Sequence, residues 1–234
     1  MTSPKSSRFG VFTAKKFEYE ATFIVRVGTL SSQKDFVVHE GIICPRSEFF
    51  CRTMNGNWST AKDRVVILED ADPDIFAIYL NLVYTNRLPT MECSSDGNTI
   101  LLMTKAQIQE EYTRLSKLYI LSERFLDREA KNTIIAALLE LSKERSNAGW
   151  VCAPPEVAIN LVYEETHGGS PIQRLFVDIY STVPDDKLET AKSSEPLPKD
   201  FWCDVAIALR KRIGDRVGFR ETVDAYLENT QEKG

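Results

Sequence analysis

The chain has 234 residues, with 34 Asp and Glu against 29 Lys and Arg, a formal net charge of −5 and 43% hydrophobic residues. That length allows one large domain or two small ones, and it buries about 70–75% of the unfolded surface, enough to fold without disulfides or metals. The mild acidity argues against a dedicated nucleic-acid binder, whose affinity rests on a basic face that neutralises phosphates.

Cys44, Cys51, Cys93, Cys152 and Cys203 are odd in number and far apart, with no CxxC pair, and the histidines are His39 and His167. Neither a disulfide framework nor a zinc site fits that spacing, so reduced thiols in the cytoplasm or nucleus are expected. The first residues, MTSPKSSRFG, lack the apolar core of a secretory signal. Lys5, Arg8, Lys15 and Lys16 stand there without an acid, but Pro4 and Gly10 interrupt any amphipathic presequence helix, and a flexible tail over residues 1–17 is expected. No apolar run approaches the roughly 20 residues needed to cross a bilayer, so no membrane partner is expected.

In chain order, residues 21–28 (ATFIVRVG) are rich in β-branched and aromatic side chains and read as a strand. The polar stretch Thr29–Lys34 reads as a turn and Asp35–His39 as a second strand, together a hairpin. Arg64–Glu69 is a third strand, whose continuous apolar run suggests burial on both faces. Asp72–Pro73–Asp74 is a helix start, combining an Asp cap, proline at the first position and acid near the positive dipole end. Phe76, Tyr79, Leu80 and Val83 then form one stripe, and Asn86 is a plausible left-handed stop. Thr90–Asn98 reads as a loop.

Ile108, Tyr112, Leu115, Leu118 and Tyr119 form a second helical stripe. Asp127 can cap a third helix carrying Ala130, Ile134, Ala137, Leu138 and Leu141 on one face. Pro154–Pro155 opens another helix, and Ser170–Pro171 a further one with Ile172, Leu175, Phe176, Ile179 and Val183 on its buried side. Residues 184–199 form a polar linker before a last apolar helix with Phe201, Trp202, Val205, Ala208 and Leu209. Few strands followed by helices alone indicate an α+β domain with an all-helical extension.

Motifs for catalysis are sparse: there is no GxSxG elbow and no Walker or Rossmann glycine loop. His39 and His167 have no nucleophile in a recognisable arrangement and read as structural. The pairs Glu110–Glu111, Glu164–Glu165 and Asp185–Asp186 read as solvated faces, since neighbours on a helix point apart. Arg210, Lys211, Arg212, Arg216 and Arg220 read as a basic helix end rather than a nucleic-acid patch.

Residues 35–50, DFVVHEGIICPRSEFF, are more specific: Phe36, Val38 and His39, then Ile42 and Ile43, then Ser47, Phe49 and Phe50. They resemble the signature of the BTB/POZ family. The likeness continues through Leu68 and through Asp72, Phe76, Leu80, Tyr84, Thr85 and Leu88, and closes on LSKLYILSERF with Leu118, Tyr119 and Ser122. It covers about residues 20–140.

The resemblance implies a BTB/POZ domain over residues 18–145, a small three-stranded or mixed sheet capped by helices. A helical extension follows over 150–234, similar to that of short fungal members at Leu197, Pro198, Phe201, Asp204, Val205 and Ala206. It also implies a homodimer, with Phe23, Val25, Ile42, Ile43, Phe49 and Met54 as interface candidates. The tail Phe9–Phe17 is a candidate swapped strand. No cofactor is implied.

Two positions depart from the family pattern. Thr22, with Glu20 nearby, stands where members commonly carry an Asp of the co-repressor pocket. Trp58–Ser59–Thr60 stands where cullin-binding members carry an apolar-x-Glu, leaving Trp58 as the candidate cullin contact. The leading expectation is a homodimerising interaction scaffold without catalysis. The alternatives are a substrate adaptor of a cullin-type ubiquitin ligase and an enzyme of unrecognised type.

Overall fold

In a computed structural model the described residues are 21–29, 31–55, 63–89, 104–143, 153–183, 196–215 and 227. They fall into two compact units, the first running to Asn86 with Arg124–Asp127 added, the second holding Arg87–Glu123 and everything from Arg128 onward.

The first unit is built on a mixed three-stranded sheet of β1 (Thr22–Val27), β2 (Lys34–His39) and β3 (Val65–Leu68), in the order β2-β1-β3. β1 pairs antiparallel with β2, Ile24 opposite Val37 and Arg26 opposite Asp35, and parallel with β3, Ile24 beside Val65. Alternation sends Phe23, Val25 and Val27 inward, joined by Val38, Val66 and Leu68. The expected hairpin and third strand are present. Burial of β3 on both faces is not: Ile67 is 55% exposed, because β3 is an edge strand covered on one face only.

β1 leaves the sheet at Gly28, whose φ of +92° and close approach to Pro73, 3.0 Å from an added Cβ, leave no room for a side chain. β2 runs directly into α1 (Glu40–Ile43), followed by α2 (Glu48–Asn55). After β3, α3 (Pro73–Thr85) begins as its sequence dictates. The Asp72 side chain accepts from the Asp74 N–H, Pro73 occupies the first turn, and Asn86 ends the helix in the left-handed region at φ 54°. Phe76, Tyr79 and Val83 are buried on the expected stripe, while Leu80 stays half-buried.

Aromatic rings fill this unit. Phe50 lies 4.8 Å from Phe125, 5.8 Å from Phe23 and 6.5 Å from Phe76, and Tyr79 lies 5.0 Å from Phe125. Ring pairs at such separations add to the large apolar area each aromatic removes from water.

The second unit is helical: α4 (Lys105–Arg124, its last residue counted with the first unit), α5 (Arg128–Lys143), α6 (Glu156–Glu165), α7 (Pro171–Tyr180) and α8 (Lys199–Asp215). The expected stripe of α4 is buried throughout, and Tyr112 stacks edge-on against Phe176 of α7. The turn between α6 and α7 is closed by side chains. Gln173 Nε2 donates to Thr166 Oγ1 at 3.1 Å, and the Gly169 N–H donates to Gln173 Oε1 at 2.8 Å.

α8 packs through Phe201, edge-on to Tyr163 and Tyr180, and through the Tyr163 hydroxyl, which donates to Asp204 at 2.9 Å. Its apolar residues divide: Phe201 and Val205 are buried, Trp202 stacks edge-on against Tyr180 yet stays 46% exposed, and Leu209 is 40% exposed. The tail 1–17, Trp58, the loop Thr90–Asn98, Asp185–Asp186, Arg216 and Arg220 lie outside the described residues.

Candidate interaction surfaces

Most of the motif residues are scaffolding. Phe36 stacks edge-on against Phe76 at 5.0 Å, and Ile43, Ser47, Phe50, Leu68 and Phe76 are all buried. The Ser47 hydroxyl donates to the Phe125 carbonyl at 2.7 Å and receives the Phe50 N–H at 3.3 Å, which ties the start of α2 to the chain around Phe125. His39 donates its backbone N–H to the Tyr84 hydroxyl at 2.9 Å, and its Nδ1 lies 2.9 Å from the same oxygen. The histidine thereby pins the end of β2 to the last turn of α3, in keeping with a structural role. Leu118 and Tyr119 are buried on α4.

Beneath this motif lies a polar cluster that the sequence does not announce. Asp127, 0% exposed, accepts from the Tyr79 hydroxyl at 3.1 Å and pairs with Arg46 Nε at 3.4 Å; Arg46 Nη1 reaches Asn86 at 2.8 Å. Burial, and then the Asp127 charge, push the Tyr79 phenol well above the usual tyrosine range. The two carboxylate partners lie 48 and 81 positions away in sequence, so no local spacing could have found them.

The six interface candidates separate cleanly. Phe23 (2%), Val25 (0%) and Ile43 (0%) are consumed by the core of their own chain and have no surface to offer a partner. Ile42, Phe49 and Met54, on α1 and α2, remain half-buried and accessible. The correction has a physical source: apolar character marks burial without distinguishing a core from a seam.

Arg64, at φ 52°, donates from Nε to the Thr22 carbonyl at 2.7 Å and from Nη2 to Glu40 at 2.7 Å. The ion pair fastens the start of β1 to α1 and leaves Thr22 as a backbone acceptor.

A cleft of about 480 Å³ is lined by Gly28, Ser32, Lys34, Asp70, Asp72 and Asp74, among others. Its aspartates are engaged: Asp72 caps α3, Asp74 meets Lys34 at 2.7 Å, and Asp70 meets Arg124 at 2.7 Å. The Arg124 guanidinium holds the Asp70 carboxyl below the usual range, and Lys34 does the same for Asp74. Among the described residues no group of three or more His, Cys, Asp or Glu side chains is arranged to hold a metal ion, and no helix is long and apolar enough to cross a membrane. His167 Nδ1 sits 2.9 Å from Glu123, and Glu110 and Glu111 both pair with Arg114.

The cysteines offer a check on burial. Cys44 is pushed up to about 12, first by burial and then by the Glu40 charge, whereas Cys203 is exposed on α8. Because the thiolate is the reactive form, a thiol-alkylating reagent near neutral pH is expected to modify the exposed Cys203 before the half-buried Cys44. Peptide mass spectrometry reads the order, and early modification of Cys44 would contradict its placement.

Among the described residues, the outer face of the sheet exposes further apolar side chains. Val37 is 67% and Ile67 55% exposed, with Ile24 and Val65 half-buried between and beside them. On α8, Trp202 (46%), Ile207 (53%) and Leu209 (40%) are exposed.

Residues 15–112 match the family model of the BTB/POZ domain. No curated protein matches the chain.

Proposed function

Because the chain carries a BTB/POZ domain, a protein–protein interaction module, we propose that it works as a homodimeric scaffold rather than an enzyme, with a domain reaching to about residue 145. The observation that carries this reading is the half-buried apolar set Ile42, Phe49 and Met54, left accessible on α1 and α2 after Phe23, Val25 and Ile43 have gone into the core. Apolar side chains on two successive helical segments suit a symmetric seam, in which each residue meets its counterpart across a two-fold axis. The polar groups of the motif are committed to structure: His39 to Tyr84, Ser47 to Phe125, Asp127 to Tyr79 and Arg46. The helices of the second unit are then the part free to read a partner.

Light scattering on the purified chain tests the seam. The expected mass is that of a dimer, and Met54→Glu or Ile42→Glu is expected to halve it while leaving the far-ultraviolet circular dichroism unchanged. A carboxylate forced into an apolar seam would have to be desolvated without a partner. A wild-type chain that is monomeric at micromolar concentration would overturn the proposal.

A further inference from the structure

The outer face of the sheet is unusual for its position. A small sheet covered on one side normally presents polar side chains to water on the other. Here Val37, Ile24 and Val65 form a continuous aliphatic row across all three strands, set by the pairings Ile24 with Val37 and Ile24 with Val65, and Ile67 extends it. Flanking the row, Arg26 and Asp35, the next cross-strand pair on the same face, bind each other through two contacts of 2.8 Å, and Arg64, next to Val65, binds Glu40 at 2.7 Å. An uncharged centre inside a self-satisfied rim has the anatomy of an interface core.

The size of the face selects its occupant. Three strands about 4.8 Å apart give a row only about 10 Å long. At about 3.3 Å per residue, strands of four to six residues make the whole face only about 200 Å², far below the roughly 800 Å² per partner that a stable sheet-on-sheet dimer would need, while the row itself is as long as one helix is wide. The chain owns a helix of matching character. On α8 Trp202, Ala206 and Leu209 are exposed along one side, with Ile207 beside them. From Trp202 to Leu209 the rise is about 10 Å at 1.5 Å per residue.

Charge agrees as well. Arg210 and Lys211 are exposed in the turn after Leu209, and β3 runs out into the exposed acids Glu69 and Asp70. We propose that α8 of one copy of this chain docks across the outer sheet face of a second copy, with its basic end over Glu69. The contact is head-to-tail and shares no residue with the proposed α1–α2 seam, so it adds assembly beyond the dimer. It is weak by area and gains strength only when several copies are already held together.

Sedimentation velocity of the full chain across a concentration series tests this contact. Species larger than the dimer are expected to grow with concentration and to be lost completely in Val37→Lys and in Ile207→Glu. Both substitutions are at exposed positions, and circular dichroism is expected to stay unchanged. The decisive sample is the mixture. Val37→Lys keeps an intact helix and Ile207→Glu an intact sheet face, so mixing them is expected to restore association, whereas the double variant stays unassociated alone.

Loss in both single variants without recovery on mixing would show that the helix of one copy does not meet the sheet face of another, and would overturn the proposal; loss in only one variant would mean that like faces pair, and would overturn it too. So would association that neither substitution changes, or a chain that forms no larger species at any concentration. Failure of the α1–α2 seam is read separately, as a mass that Met54→Glu leaves unchanged or a wild-type chain that is monomeric at micromolar concentration, and does not alter the mixing result.

Discussion

Phe50→Ala is expected to lower the unfolding free energy by about 3–5 kcal/mol, the range for removing a buried aromatic from a packed core. The side chain is 0% exposed and stands among Phe23, Phe49, Phe76 and Phe125, with ring centroids 4.8–6.5 Å away. Truncation loses the transfer energy of the ring and leaves a cavity. Collapse around that cavity is restricted, because its walls come from β1, α2, α3 and the Phe125 segment, each fixed by its own hydrogen bonds.

The adjacent Phe49 makes the control. It is only half-buried and touches Phe50 and Phe125 alone among these rings, so Phe49→Ala is expected to cost clearly less. Chemical denaturation of both variants at one fixed protein concentration reads the difference as a fall in midpoint without a change in slope. Equal losses would show that Phe50 is not the centre of the core.

The parts of this fold that could be read from sequence are those set by neighbours a few residues apart. Asp72 and Pro73 begin α3 because a cap and a fixed φ act within one turn, and Asn86 ends it because asparagine tolerates the left-handed region. The hairpin of β1 and β2 and the stripe of α4 follow from periods of two and of about 3.6 residues. The aromatic motif was legible because the family resemblance fixes it.

What stayed hidden depends on contacts that sequence spacing does not encode. Ser47 finds Phe125 78 positions away. Phe23 and Ile43 look like seam residues until the core is seen to enclose them. Ile67 reads as buried because its string is apolar, yet it sits on a strand whose outer face is exposed. Apolar pattern specifies an element's faces well and says much less about what lies against them.

Asp127→Ala is expected to destabilise the chain by a comparable amount, about 3–5 kcal/mol, for an electrostatic reason. The wild-type carboxylate is wholly buried between the Tyr79 hydroxyl and Arg46, whose side chain is only 12% exposed. Removing it deprives a largely desolvated guanidinium of its counter-charge and a buried phenol of its charged acceptor, and the desolvation already incurred by both is no longer offset. Asn86 still accepts from Arg46 at 2.8 Å, but a neutral amide oxygen does not replace a charge.

Asp127→Asn preserves shape and an acceptor for Tyr79 while deleting the charge, so it is expected to fall between wild type and alanine. The double variant Arg46→Met with Asp127→Ala supplies the sign. If the loss in Asp127→Ala comes from an orphaned cation, removing the cation as well restores much of the stability, since a buried pair exchanged for apolar groups is often close to neutral. A double-mutant cycle on denaturation midpoints measures that recovery. Additive losses would instead assign the cost to packing around Phe125, and the cluster would then matter for the shape of its side chains more than for their charge.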